Sequence, residues 1–411
     1  MTVAVQQKGR ERAAGSPSPA DLAEQVRKQA FVDLEDARPL PAQCYTDPAF
    51  YALEVSRILQ RDWIPVARLE QIPNAGDFVT VDLPDEPLMV VRGEDGVVRA
   101  MSRVCRHRYA DVLADTQGAV PEAGCVQKFE CPYHLWTYRL DGSLSKAIDF
   151  ARREKFEATK FGLRQIRTEI WQGFVFVNLS DEPARPLGMD PLAKALGNYD
   201  MSNYKIVRTW DWGELGAGWK LVLENFMEFY HHIGAHKETL ETAFPGLATD
   251  CADGTDGSAI YYAHNHVSAE VAAGEVDGHL QPPAMAPIPT ELTPYERSIA
   301  FIAVRLPLFL ITGGGSYNYW LQVTPTGPET HRLKVHALAP LSTLDQLTDE
   351  QHDTARHYFD AVQAEDAAVN ARVQASMHSR HAFGGVFHEQ EFPLLLLQRY
   401  LAEMLEEDAR V

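Results

Sequence analysis

The chain is short of cysteine, of positive charge and of long apolar runs, and each shortage removes a class of protein. Five cysteines in 411 residues, Cys44, Cys105, Cys125, Cys131 and Cys251, are too few and too scattered to staple a secreted disulfide scaffold, so clustered ones read as metal ligands. Lysine and arginine total 38 against 57 aspartates and glutamates, a formal charge of -19. Nucleic acid or an anionic membrane would therefore need a local attraction that the chain as a whole opposes, and neither is expected as a partner. No apolar run approaches a membrane span, and the opening MTVAVQQKGRERAAGSPSP lacks the apolar centre of a secretory signal. Internal repeats and coiled-coil heptads are also missing. A cytoplasmic protein is the expectation that these absences leave.

Composition is otherwise ordinary for a globular protein, 45% apolar and 23% charged, and the length suffices for two domains with separate cores. Residues 1–19 are polar, carry two Ser-Pro pairs and read as a disordered tail. Residues 20–61 read as a helical segment. Within it, Asp47-Pro48 has the form of an N-cap followed by proline at the first helical position, opening about three turns that end near Gln60. From Asp62 the texture changes to short valine-rich segments, FVTVDL, PLMVVR and VVRAM, separated by turn signals at Asn74-Ala75-Gly76, Pro84-Asp85 and Asp95-Gly96. That pattern predicts a small all-β domain over residues 62–180, closed by a strand from Trp171 to Leu179. A polar linker with prolines, SDEPARPLGMD, follows. Residues 190–411 mix helices with antiparallel strands, so the fold class is α+β. An irregular region from Gly254 to Pro289 suggests a flap. SYNYWLQV and HRLKVHAL read as strands, and Thr348 to Met377 and Glu389 to Glu406 as helices.

Inside the β domain, Cys105-Arg106-His107 is matched by Cys131-Pro132-Tyr133-His134. Two thiolates and two imidazoles bind a single tetrahedral zinc, or hold a [2Fe-2S] cluster with both thiolates on one iron and both histidines on the other. Zinc fingers usually pair like with like, whereas here each loop supplies one cysteine and one histidine, which favours iron. Cys125 competes by composition but has no histidine three residues on. With the extension CPYHLWTYRLDGSL, the segment resembles the Rieske family. The resemblance implies that Trp136 and Tyr138 pack near the cluster and that Asp141-Gly142 makes the next turn. Two features depart from the family pattern: the gap from His107 to Cys131 is long, and the family's His-Arg-Gly reads His107-Arg108-Tyr109.

A second concentration of ligands lies at ENFMEFYHHIGAH, Glu224 to His236. A surface helix rarely needs three histidines, while a metal that keeps positions open for substrate or oxygen needs imidazoles with a carboxylate. On a regular helix Glu228, His232 and His236 share a face and His231 diverges from His236, so spacing alone nominates His232. GWKLVLENFMEFYHHIGAH, however, is similar to the signature of Rieske non-haem iron oxygenase catalytic subunits. That resemblance implies His231 and His236 as iron ligands, with Glu228 three residues before the first and Gly234 interrupting the helix between them. Downstream, Phe359, Val362, Asp366, Val369 and Val373 form an apolar stripe with Asp366 at its centre, where an ionised carboxylate is costly unless paired or metal-bound. Asp366 is also where the resemblance places the iron carboxylate. Glu365, rotated about a quarter turn or more away, is expected to face solvent.

The resemblance covers the chain from about Phe50 to Leu405. It implies the catalytic (alpha) subunit of a Rieske non-haem iron oxygenase that uses O2 and electrons from NAD(P)H, delivered by a ferredoxin or flavin reductase, to hydroxylate an organic molecule at a mononuclear Fe(II). It further implies a homotrimer in which the cluster of one subunit serves the iron of its neighbour, with Glu228 bridging the two sites, and leaves open an additional beta subunit. An aromatic or other ring acid is the first expected substrate. The second is a quaternary ammonium or methylated compound, since glutamate at the bridging position also occurs in that branch. A non-catalytic Rieske electron carrier is the rival of another class; it leaves the buried Asp366 without a purpose. Arg103, Arg106, Arg108 and Lys128 read as a basic patch that receives the electron donor. Phe226, Phe229, Tyr317, Tyr319 and Leu321 are candidates for an apolar pocket.

Overall fold

A computed structural model describes residues 17–250, 259–264, 271–281, 284, 286–315 and 317–406. The tail expected over residues 1–19 falls outside these up to residue 16, and its end is not a tail. Ser18 accepts the Asp21 N–H, Asp21 in turn accepts the Ser18 N–H, and Pro19 opens helix α1 (Pro19–Ala30). The second Ser-Pro pair is thus a capping box with proline where its missing N–H costs nothing. Asp47 caps α2 (Pro48–Glu54) through the N–H groups of Ala49 and Phe50, and a π-helical turn, Val55–Leu59, carries the chain on to Gln60.

Ten strands follow: β1 (Ile64–Arg68), β2 (Asp77–Leu83), β3 (Glu86–Arg92), β4 (Val98–Ser102), β5 (Ala123–Cys125), β6 (Phe129–Glu130), β7 (Thr137–Tyr138), β8 (Leu144–Lys146), β9 (Gln165–Trp171) and β10 (Phe174–Asn178). Seven of them form an antiparallel sheet in the order β1-β10-β9-β4-β3-β2-β5, and β6-β7-β8 form a small sheet. The closing strand expected from Trp171 to Leu179 is present as β10, Phe174–Asn178, and the first residues of the expected span are the tip of a hairpin. Gln172 and Gly173 both take positive φ, 43° and 85°, so the chain reverses there and β10 pairs with β9. Polar Gln172 and flexible Gly173 are the turn signal inside an otherwise apolar run.

The second half is built on another seven-stranded antiparallel sheet. Its strands are β11 (Tyr204–Leu215), β12 (Thr249–Asp250), β13 (Ala259–His264), β16 (Ala300–Arg305), β17 (Phe309–Gly313), β18 (Asn318–Gly327) and β19 (Thr330–Pro340), in the order β11-β19-β18-β17-β16-β13-β12; a separate hairpin joins β14 (Gly274–Val276) to β15 (His279–Gln281). Part of the region expected to be irregular is therefore regular: β13 is a sheet strand and β14 with β15 a hairpin, while residues 254–258, 265–270, 282, 283 and 285 of that flap lie outside the described residues. The helices of this half include α3 (Trp219–Phe226), α4 (His232–Ala235), α5 (Asp349–Ser376) and α6 (Phe392–Leu405). Thr348 and Gln351 make the capping box that starts α5. Its buried side is more polar than the expected stripe. Val373 is exposed, and His352, Gln363, Asn370 and Gln374 are buried. Gln374 earns its place by accepting the Gly218 N–H (3.0 Å) and donating to the Tyr45 carbonyl (3.3 Å), satisfying backbone groups that burial would otherwise strand.

The two sheets share a core. Phe174 of β10 meets Phe309 and Trp320 edge-on, with ring centres 4.9 and 5.3 Å apart. Beside it, buried Arg305 pairs with buried Asp62 at 2.6 Å, and Asp62 also accepts the Tyr400 hydroxyl at 2.9 Å. This ties the start of the first half, β16 and α6 into one unit. No helix among the described residues is long and apolar enough to cross a membrane.

Candidate functional site

Two clusters of metal-ligating residues are present, one in each half. The first lies where two loops approach each other beyond β4 and β6. Their backbones repeat one pattern: the N–H of Cys105 bonds the carbonyl of Ala110 and that of Cys131 the carbonyl of Trp136, while the N–H groups of Tyr109 and Leu135 return to the two cysteine carbonyls. The fifth residue of each loop is left-handed, Tyr109 at φ 66° and Leu135 at φ 57°. The position that is glycine in the family pattern therefore keeps a glycine-like conformation although tyrosine stands there, at a cost of about 1 kcal/mol.

Cys105 and Cys131 are buried, and the rings of His107 and His134 are 4.6 Å apart. Nδ1 of each histidine is buried without a hydrogen-bond partner. Burial, then the neighbouring His134, lowers the pKa of His107, so its ring is neutral with a lone pair to offer. Orphaned ring nitrogens beside two buried thiols are what a metal cluster would satisfy. Trp136 stacks on His107 at 4.8 Å. The Tyr138 hydroxyl lies 3.2 Å from Cys105 Sγ and accepts the Arg106 N–H at 3.1 Å. Gly142, at φ 82°, makes the turn after Asp141. Cys125 is apart from this group, exposed on β5, and Cys251 lies outside the described residues.

The basic patch is smaller than expected. Arg103 is buried, paired with Asp82 at 2.6 Å and Asp111 at 2.9 Å and donating to the Leu88 carbonyl, so it braces the loop rather than facing a partner. Lys128 is taken up by Glu130 at 3.0 Å. Arg106 and Arg108 remain exposed, among an apolar collar of Tyr109, Tyr133, Leu135 and Ile148 that are 86, 53, 46 and 45% exposed.

The second cluster forms where α3 ends. The helix stops at Phe226, irregular backbone covers residues 227–231, and α4 is a single turn. The interruption thus precedes His231 and does not fall at Gly234, which sits inside α4. Because His236 lies just beyond α4 with non-helical φ and ψ of -114° and 33°, His231 and His236 converge to 5.1 Å between ring centres. Asp366 of α5 completes the group: its Oδ1 is 3.0 Å from His236 Nε2 and 3.6 Å from His231 Nε2. Two imidazoles and one carboxylate meeting at a point fit a metal with open positions.

Glu228 accepts both from His231 Nδ1 (2.5 Å) and from the His231 backbone N–H (3.0 Å). Burial alone would lower the His231 pKa, but the hydrogen bonds with Asp366 and Glu228 carry it up to about 10. For Asp366 burial acts upward and the two histidines pull further down, leaving its carboxyl well below the usual range. His232 is buried, with Nδ1 3.3 Å from the Phe244 carbonyl; its ring nitrogen also lies within 4.8 Å of those of His231 and His236. Glu365, expected at the solvent, reaches back to His236 Nδ1 at 2.7 Å. The one signal for it in the sequence is that two acidic residues stand in succession where the helix carries its apolar stripe.

A cavity of about 240 Å³ opens onto this cluster. Phe226, Phe229, Tyr317, Tyr319, Tyr358 and Phe359 line it, and no lysine or arginine is among its described lining residues.

Residues 62–157 match the Rieske [2Fe-2S] domain, and residues 201–407 match the ring hydroxylating alpha subunit (catalytic domain). The chain belongs to the Rieske non-haem iron oxygenases, as a catalytic alpha subunit. It is 39% identical over 214 residues to the glycine betaine monooxygenase oxygenase subunit of Chromohalobacter salexigens, an alignment covering 51% of this chain and 46% of that protein. The chain thus spans about half the length of that relative. A chloroplastic choline monooxygenase of Atriplex hortensis is 27% identical over 362 residues, 85% of this chain and 74% of its own. In fold it is similar to a quaternary ammonium Rieske monooxygenase whose structure was described in relation to carnitine oxidation by gut microbiota and inter-subunit electron transfer (TM-score 0.74, 21% identity, 95% of this chain and 100% of that one).

Proposed function

We propose that this chain is the terminal oxygenase of a cytoplasmic system that hydroxylates a quaternary ammonium or N-methylated compound. Residues 62–180 would form its cluster domain and residues 190–411 its catalytic domain. Cys105, His107, Cys131 and His134 hold a [2Fe-2S] cluster, and His231, His236 and Asp366 hold a mononuclear iron. Bound there, the iron supplies the activation of O2, with electrons that come from NAD(P)H through a flavin reductase or ferredoxin and the cluster. His231 is preferred over His232 because Glu228 orients it and its Nε2 faces Asp366, whereas His232 Nδ1 turns toward a backbone carbonyl.

One observation carries the choice of substrate: aromatic rings wall the cavity beside the three ligands, and no lysine or arginine is among its described lining residues. Ring faces attract a quaternary ammonium group, at about 0.5–2 kcal/mol per contact, while a ring acid would find no lysine or arginine among the described lining residues to pair with its carboxylate. Of the two substrate classes that the sequence leaves open, the cavity favours the second. The named relatives act on glycine betaine and choline, which agrees. The stretch from residue 238 to 296, which meets the cavity at Leu240 and Phe244, also carries no lysine or arginine while acidic residues recur in it, a charge pattern that draws cations.

The reaction balances as R–CH3 + O2 + 2 electrons + 2 protons giving R–CH2OH + water; an N-hydroxymethyl product then releases formaldehyde. Substrate-dependent O2 uptake with a surrogate reductase, measured across trimethylammonium compounds and ring acids, tests this. Uptake with trimethylammonium compounds is expected, and uptake only with ring acids would overturn it. The exposed apolar collar around His107 and His134 supports a homotrimer in which this tip seats against a neighbouring copy and Glu228 bridges to its histidines.

A further inference from the structure

Two successive carboxylates of α5 grip one imidazole from opposite sides. Asp366 Oδ1 approaches His236 Nε2 at 3.0 Å, and Glu365 Oε2 approaches His236 Nδ1 at 2.7 Å. Side chains one residue apart on a helix diverge by about 100°, so this is possible only because glutamate is one methylene longer and reaches round the ring while aspartate meets its near edge. The same Glu365 oxygen accepts the Thr239 hydroxyl at 2.7 Å, and the Thr239 N–H bonds the His236 carbonyl at 3.1 Å. His236 and the loop after it are thereby pinned to α5 at one point.

The chemistry of that pinning is specific. An ionised carboxylate only accepts, so Glu365 keeps the hydrogen on Nδ1 and leaves the Nε2 lone pair facing Asp366 Oδ1. Two acceptors at that distance call for a cation between them. We propose that Glu365 is a positioning residue of the mononuclear metal site: it selects the His236 tautomer and sets the ring's orientation toward the metal, as Glu228 does for His231, with Thr239 steering the carboxylate. The inference rests on the reading above that His236 ligates metal.

The test uses the full chain with its cluster intact, the cluster's visible spectrum serving as the check on folding. The emptied mononuclear site is titrated with Co(II) and followed by calorimetry. Glu365→Ala is expected to weaken Co(II) about 10- to 100-fold. Glu365→Asp, too short to reach Nδ1, should be as weak. Glu365→Gln, which keeps an acceptor of the right length, should recover most of the affinity, and Thr239→Val should show a smaller loss. Wild-type affinity in Glu365→Ala, or Glu365→Asp binding better than Glu365→Gln, would overturn the proposal. If Glu365→Ala loses its cluster spectrum, the comparison of Gln with Asp decides. Failure of the reading beneath it looks different: the wild-type chain then binds no Co(II) that His236→Ala removes.

Discussion

Removing one oxygen atom, in Tyr138→Phe, should make the cluster harder to reduce. Tyr138 is fully buried, and its ring packs with Phe78, Phe129 and Trp136, so phenylalanine keeps the packing and deletes only the hydroxyl. That hydroxyl accepts the Arg106 N–H at 3.1 Å, which leaves its own hydrogen for Cys105 Sγ at 3.2 Å. A hydrogen bond to an ionised acceptor is worth about 1.5–3 kcal/mol net. Reduction adds one electron spread over irons and sulfurs, so only part of this, roughly 1 kcal/mol, distinguishes the two redox states. With 59 mV per tenfold change for a one-electron couple, the potential should fall by roughly 40 mV. A redox titration followed by visible circular dichroism measures it. An unchanged or raised potential in a variant that retains its full cluster content would refute the assignment of this hydroxyl as donor to a ligand sulfur.

Glu228→Gln should leave both metals bound but slow electron transfer from reduced cluster to iron on the order of 10- to 100-fold, because one amide oxygen replaces two carboxylate oxygens that now hold His231 Nδ1 and the His231 N–H. Stopped-flow decay of the reduced-cluster spectrum reads this, and lost metal or an unchanged rate would count against the bridge. His336 gives a pH prediction. Burial, then Lys334 and Arg68, push its pKa down to about 3. Its ring meets Thr209 and Gln322 at 2.9 and 3.0 Å. The folded pKa lies below the ordinary 6.5, so the unfolded chain takes up the proton first. The stabilisation is complete above pH 6.5 and lost as pH falls toward 3. Between pH 7 and 5 the loss is about 2 kcal/mol. Urea unfolding of His336→Asn should show a flatter dependence over that interval; an identical slope would remove His336 as its source.

How far the sequence discloses this molecule depends on how local each feature is. Both ligand loops are read from short spacings, because Cys105 with His107 and Cys131 with His134 need only a tight loop each, and the valine-rich strands and the Thr348 cap are likewise local signals. In three of the misses the deciding partner is distant in the chain. Arg103 looks like surface charge until Asp82, 21 residues away, folds over it. Gln374 looks like a solvent residue until Gly218, 156 residues away, presents an unsatisfied N–H. Glu365 follows the same logic and shows its limit. A helical wheel ranks residues by the direction of the Cα–Cβ bond and assumes that a side chain stays on the face where it starts. That assumption holds for Asp366, too short to do otherwise. It fails for the longer Glu365 because a donor, His236 Nδ1, arrives from 129 residues away and binds it at 2.7 Å. Partners of ligand histidines will therefore be missed by periodicity more often than the ligands, since a helix's long polar side chains are placed by what comes to meet them.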